Sequence, residues 1–211
     1  MLHEMRTYTT PAGMAPVLGK LSGDIARGIR GDKYGKLEGY WITEIGPLNQ
    51  VMHLWSYDDL IHRDERRAAL GKNPRWHSEY LSQALPLILR QDVRLLNAAR
   101  PLAAPEKEGN VYDYRTYRCK TAKAAEWIKY ALEALPTREK YSKIVGLFST
   151  IAGQPNEVSH IWAYESLNQR AEARAGAAGD PDWQAFLKKG GPLLEEMHST
   201  VMLPTPASPL R

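Results

Sequence analysis

What most constrains this chain is an internal copy of itself held in one register. Residues 39–67, GYWITEIGPLNQVMHLWSYDDLIHRDERR, are matched without a gap by residues 146–174, GLFSTIAGQPNEVSHIWAYESLNQRAEAR. An offset of 107 positions pairs Gly39 with Gly146, Gly46 with Gly153, Asn49 with Asn156, His53 with His160, Trp55 with Trp162 and Tyr57 with Tyr164. It still holds at Pro74 and Pro181 and at Trp76 and Trp183. So long a register marks a domain-sized unit used twice, in place of a short solenoid repeat. A chain of 211 residues then divides into two units of about 100. A unit of that size buries apolar surface only marginally, which favours packing of the copies on one another.

Within the first copy, residues 2–9 alternate as a strand carrying Glu4, Arg6 and Tyr8 on one face. Apolar residues at helical spacing make residues 13–30 an amphipathic helix closed by Gly31. Residues 37–45 and 50–57 read as a hairpin around GPLN, with His53, Trp55 and Tyr57 on one face. Asp58 and Asp59 are caps for a charged helix ending at Gly71, and Asn73–Pro74 opens a further helix that Pro86 ends before a strand over 87–96. Strand, helix, hairpin, split helix, strand is the ferredoxin-like order. The second copy repeats it from residue 111, its first helix over 122–135 stopped by Pro136. The expected domains are 1–97 and 110–203, joined by a linker over 98–109, with 204–211, PTPASPLR, as a mobile tail.

The run GYWITEIGPLNQVMHLWSYDDL, with HEMRTY before it and PRW after it, resembles the NIPSNAP family, and residues 145–172 with YDYRTY resemble it again. The likeness covers nearly the whole chain. It implies an α+β fold of two tandem ferredoxin-like repeats packed as a dimeric α+β barrel, and it implies no particular reaction. Family members associated with vesicles and mitochondria bring in a second function class, a non-enzymatic adaptor or protein-interaction module.

The formal charge of +4 arises from 28 basic and 24 acidic residues that are interspersed, a solvated surface and not a nucleic-acid stripe. The single Cys119 excludes an intrachain disulfide. The amino-terminal residues lack the apolar core of a secretory signal, and no run approaches the length of a spanning helix, so the expectation is a cytoplasmic protein without an integral membrane segment. A homodimer is expected, by pairing of copies between chains if not within one. No histidine spacing fits a metal site, no glycine pattern fits a nucleotide loop and no GxSxG is present, so no metal or cofactor is assigned.

Candidate ligand-binding residues are the polar and aromatic groups that recur in both copies: Arg6 and Arg115, Tyr8 and Tyr117, His53 and His160, Trp55 and Trp162, Tyr57 and Tyr164. Tyr40 and Glu44 join them in the first copy only, where the second has Leu147 and Ile151. Such groups either satisfy one another inside the protein or line a cavity for a small, partly apolar metabolite, with Arg holding an anionic or carbonyl group and His and Tyr moving protons. Glu44 beside His53 would raise the imidazole pKa and make the first copy the functional one, while burial alone would lower that of His160. Trp76 and Trp183 are expected as core anchors and not as walls of a site.

Overall fold

The computed structural model describes residues 1–211. They fall into two units, Met1–Leu96 with Met202–Arg211, and Asn97–Val201. In the first unit the alternating segments form β1 (Leu2–Thr9), β2 (Lys36–Ile45), β3 (Gln50–Tyr57) and the start of β4 (Arg90–Arg100). Their order is β4-β1-β3-β2, the ferredoxin-like arrangement. β3 pairs antiparallel with both β1 and β2, and the register sets His53 opposite Arg6 on one side and Tyr40 on the other. Three side chains far apart in sequence thereby share one row of the sheet.

The helix expected over 13–30 is present but changes pitch. It runs as α-helix over Ala15–Leu21, as π-helix over Ser22–Ala26 and again as α-helix over Arg27–Arg30, ending at Gly31 with φ of 53°. The helix after Pro74 does the same, π-helical over Trp76–Leu81 before a short α and 3-10 turn that reaches Leu87. Between them Leu60–Gly71 is a regular helix whose cap is Asp59, its carboxylate accepting from the His62 N–H at 2.8 Å.

The second unit has β5 (Val111–Cys119), β6 (Ile144–Ala152), β7 (Glu157–Tyr164) and most of β8 (Leu194–Pro204), in the order β8-β5-β7-β6. His160 lies opposite Arg115 and Leu147. The helices Ala124–Arg138, Leu167–Gly179 and Pro181–Gly190 are α-helical throughout. Pro136 does not stop the first of these, as expected from sequence, but sits in its last turn. A proline so near the end forfeits one bond, to the carbonyl of Leu132, and that residue is exposed. Cys119 is a buried core thiol, pushed up to about 11 by burial.

Each hairpin turn is tied to the loop ahead of the first helix. Asn49 and Asn156 hold φ of 56° and 58°, and their side-chain oxygens accept from the Gly13 and Ala122 N–H groups, each at 3.0 Å.

The expectation of a mobile tail over 204–211 is corrected. The Thr205 N–H donates to the Tyr40 carbonyl at 2.9 Å, and the Tyr40 N–H donates to the Ser208 hydroxyl, also at 2.9 Å. Thr205, Ser208 and Leu210 are all buried. The Tyr40 backbone lies in the unit's interior, where its polar groups need partners, and the small hydroxyl side chains that made the tail look too polar for a core supply them.

Candidate functional site

The row Arg6–His53–Tyr40 opens onto a cavity of about 300 Å³ within the first unit. Its ceiling comes from the two π-helical segments, which contribute Ser22, Ala26, Trp76, Tyr80 and Leu81. A π turn accommodates one residue more than an α turn. The sequence carries both extra residues: Tyr8 to Arg30 is 22 positions where Tyr117 to Arg138 is 21, and Trp76 to Pro86 is 10 where Trp183 to Pro192 is 9.

The histidine is held on three sides. The Tyr40 ring stacks on it at 4.9 Å with an interplanar angle of 6°, and the Tyr8 ring meets it edge-on at 4.8 Å. The Trp55 indole N–H donates to His53 Nδ1 at 2.5 Å. Neutral His53 therefore carries its proton on Nε2 and acts there as a donor. Burial, followed by the charges of Arg6, Arg30 and Arg67, holds its pKa well below the usual histidine value.

Ser22 joins two phenols in the same wall. The Tyr40 hydroxyl donates to Ser22 Oγ at 2.8 Å, and the Tyr80 hydroxyl lies 2.9 Å from that oxygen. Burial raises the Tyr40 pKa well above its ordinary value and pushes that of Tyr80 up to about 12, so both remain protonated donors.

Two arginines of the cavity have opposite surroundings. Arg6 is neutralised: its guanidinium donates to Glu4 at 2.9 Å and to the Tyr8 hydroxyl at 2.6 Å. Glu4 also takes Arg63, with Arg67 3.6 Å away. Burial acts to raise the Glu4 pKa, but these cations outweigh it and hold the carboxylate below its usual range. Arg30 has no carboxylate. It donates to the Tyr57 hydroxyl at 2.9 Å and the Tyr34 carbonyl at 3.0 Å, lies 3.3 Å over the Trp55 ring, and its Nε–H is buried without a partner. No acidic side chain lines the cavity.

The second unit repeats the framework at smaller scale, around a cavity of about 140 Å³. The Trp162 N–H donates to His160 Nδ1 at 2.6 Å, and Arg115 bridges Asp113 at 3.3 Å and the Tyr117 hydroxyl at 2.5 Å. Arg138 bonds the Tyr164 hydroxyl at 3.2 Å and lies over the Trp162 ring at 4.6 Å. The Trp127 ring, at 11° to the imidazole, takes the place that Tyr40 holds in the first unit. Burial and then Arg115 bring the His160 pKa down to about 3.

Of the residues proposed from sequence, Arg6, Tyr8, Tyr40, His53 and Trp55 line the first cavity, and Arg115, Tyr117, His160, Trp162 and Tyr164 the second. Tyr57 is buried behind the first, holding Arg30. Glu44 is corrected: it lies exposed near the hairpin turn, so no carboxylate raises His53, and the predicted contrast between the two histidines fails. Each histidine bonds a tryptophan of its own strand. Trp76 and Trp183 do pack against the cores of their units, but each is half-buried and also forms a cavity wall, which corrects the other half of that expectation. Sequence reasoning missed Arg30, Ser22 and Tyr80 in the first unit and Trp127 and Arg138 in the second. It also passed over Arg67 and Arg174, which the 107-residue offset itself pairs.

The fold defines an α+β protein whose units share one strand order, and the cavities define it further as one with a Trp–His–Arg cluster in each unit. Solved structures support the fold over the full length. A crystal structure from Lactobacillus acidophilus is 11% identical with a TM-score of 0.69, covering 100% of this chain and 98% of that one. A protein described as anthrone oxidase-like is also 11% identical with a TM-score of 0.64, covering 96% and 90%. The NIPSNAP profile matches residues 3–101 and 112–209. Protein NipSnap homolog 3A of Homo sapiens is 35% identical over 184 residues, 84% of this chain and 74% of that protein. The chain belongs to the NIPSNAP family.

Proposed function

We propose that the first unit binds a small, partly apolar anion, a planar carboxylate or an enolate, in the cavity between Arg30 and His53. The observation that carries this is Arg30, a buried guanidinium on the face of Trp55 with no carboxylate partner and an unused Nε–H. Buried charges are normally paired, so an anion from outside completes the site. Trp76, Leu37 and Ile88 supply apolar walls for its body.

The role assigned to His53 follows from its tautomer. With Nδ1 taken by the Trp55 N–H, the ring is a poor base and a fixed donor at Nε2. Together with Arg30 it suits stabilising an oxyanion, and the Tyr40–Ser22–Tyr80 chain is a source of a proton for that oxygen. Any reaction at this site is therefore proposed as cofactor-independent enolate or phenolate chemistry. A homodimer and a cytoplasmic setting belong to the same proposal.

Native mass spectrometry of the purified protein reads stoichiometry and retained ligand together. A retained small anion with a two-chain mass is expected. A one-chain mass overturns the dimer, and an empty cavity that also refuses 2-naphthoate favours the adaptor function instead. In direct titration 2-naphthoate is expected to bind at least tenfold more tightly than neutral 2-naphthamide, with the preference lost in Arg30→Met. Equal binding of acid and amide would overturn the anion site.

A further inference from the structure

We propose that the second unit carries a ligand site of its own, under Arg138 and His160, for a planar carboxylate no larger than a single six-membered ring. Two observations independent of the first cavity support it. His160 Nε2 is buried without a hydrogen-bond partner, although the Trp162 N–H at Nδ1 obliges neutral His160 to carry its proton on Nε2. A buried donor left unmade is costly, and a bound acceptor removes that cost. Arg138 is likewise without a carboxylate: it bonds Ser142 at 2.7 Å and Tyr164 at 3.2 Å, and its guanidinium stands between the rings of Trp162 and Trp183. No acidic side chain lines this cavity either.

Its size sets the ligand. About 140 Å³ is close to the volume of an apolar cavity that admits benzene, and under half that of the first unit. The aromatic walls Trp127, Trp183 and Phe186 suit a flat ring. Regular α-helices replace the two π-helical segments here, so nothing widens the space for a second ring. The low His160 pKa keeps the imidazole neutral and its tautomer fixed throughout the neutral range.

The test is fluorine NMR of the full chain with 4-fluorobenzoate, read beside the nitrogen shift of His160 Nε2. A bound population that moves the His160 signal is expected, weakened tenfold or more by Arg138→Gln and abolished by Ala131→Leu, which fills the cavity. The same population is expected to persist in Arg30→Met and to resist displacement by 2-naphthoate. An Arg30-sensitive population alone would leave the first site standing and overturn this one. An Arg30-insensitive, Arg138-sensitive population supports this site whatever the outcome of the 2-naphthoate titration, which decides the first site separately. Should the variants fail to fold, the wild-type protein still decides: an unmoved His160 signal, or 4-fluorobenzamide binding within threefold of the acid, overturns the second site.

Discussion

Glu4 and Arg30 sit beside the same cavity, yet removing them is expected to have unequal consequences. Glu4 is fully buried and balances Arg6 with help from Arg63 and Arg67. Glu4→Gln leaves a buried Arg6 without a counter-charge, and truncating one member of such a group costs about 3 to 5 kcal/mol. Arg30 has no counter-charge to orphan, so Arg30→Met forfeits its bonds to Tyr57 and Tyr34 and its place on the Trp55 ring but also removes an unpaired buried charge, a net loss of roughly 2 kcal/mol or less. Urea denaturation of the two variants compares them directly, and a larger loss for Arg30→Met would make Arg30 a structural residue. The sequence displayed half of this contrast. Alternation placed Glu4 with Arg6 and Asp113 with Arg115, and each pair meets. Arg30 and Arg138 were not legible, because they belong to amphipathic helices where an arginine ordinarily faces solvent. Nor could the position of Glu44 be read: alternation gives a strand face but not the point at which a hairpin leaves the core.

At the scale of elements, the hairpin turns and the π-helical segments have the clearest consequences. Asn49 combines a left-handed backbone with a side-chain bond that anchors the loop at Gly13. Asn49→Ala is expected to cost about 1 to 3 kcal/mol, and Asn49→Gly less, because glycine restores the backbone preference though not the bond. Equal losses would show that the bond alone matters. For the π segment, deleting Gly23 is expected to return Ser22–Ala26 to α-helical pitch and bring the first cavity toward the size of the second. The variant should still fold by circular dichroism and lose 2-naphthoate binding while keeping that of 4-fluorobenzoate. Unchanged naphthoate binding would disconnect cavity size from helix pitch. This asymmetry was present in the sequence as slips in register, 22 positions against 21 and 10 against 9, but an ungapped comparison over 39–67 stops short of both. The ordered tail was hidden for a different reason. Its composition describes how little it can bury, and what holds it is the backbone of Tyr40, which no local pattern reveals.

For the whole molecule, two neutral histidine clusters predict a particular response to acid. Burial, then nearby arginines, lowers the pKa of His53 far below its usual value and that of His160 to about 3, and burial lowers that of His3 as well. In the unfolded chain all three titrate near 6.5. Below that pH the unfolded state binds protons that the folded state refuses, so stability is complete above pH 6.5 and declines as the pH falls. Well below 6.5 the slope approaches roughly 1.4 kcal/mol per pH unit for each such histidine. The carboxylates act in a different window. Glu4 and Asp113 have depressed folded values, so their contribution is present above their unfolded pKa and is lost only as the pH falls through the folded one. Between about pH 6.5 and 4.5 the buried histidines therefore dominate the loss. Urea unfolding at pH 7.5 and pH 5.0 measures it, and the informative quantity is the difference between the two pH values, since any histidine substitution also disturbs packing. That difference is expected to shrink by up to about 2 kcal/mol in His53→Gln and again in His160→Gln. A wild-type stability that is flat over this interval, or imidazole nitrogen signals that titrate near 6.5, would show that the histidines reach solvent and that neither cavity holds a fixed neutral donor.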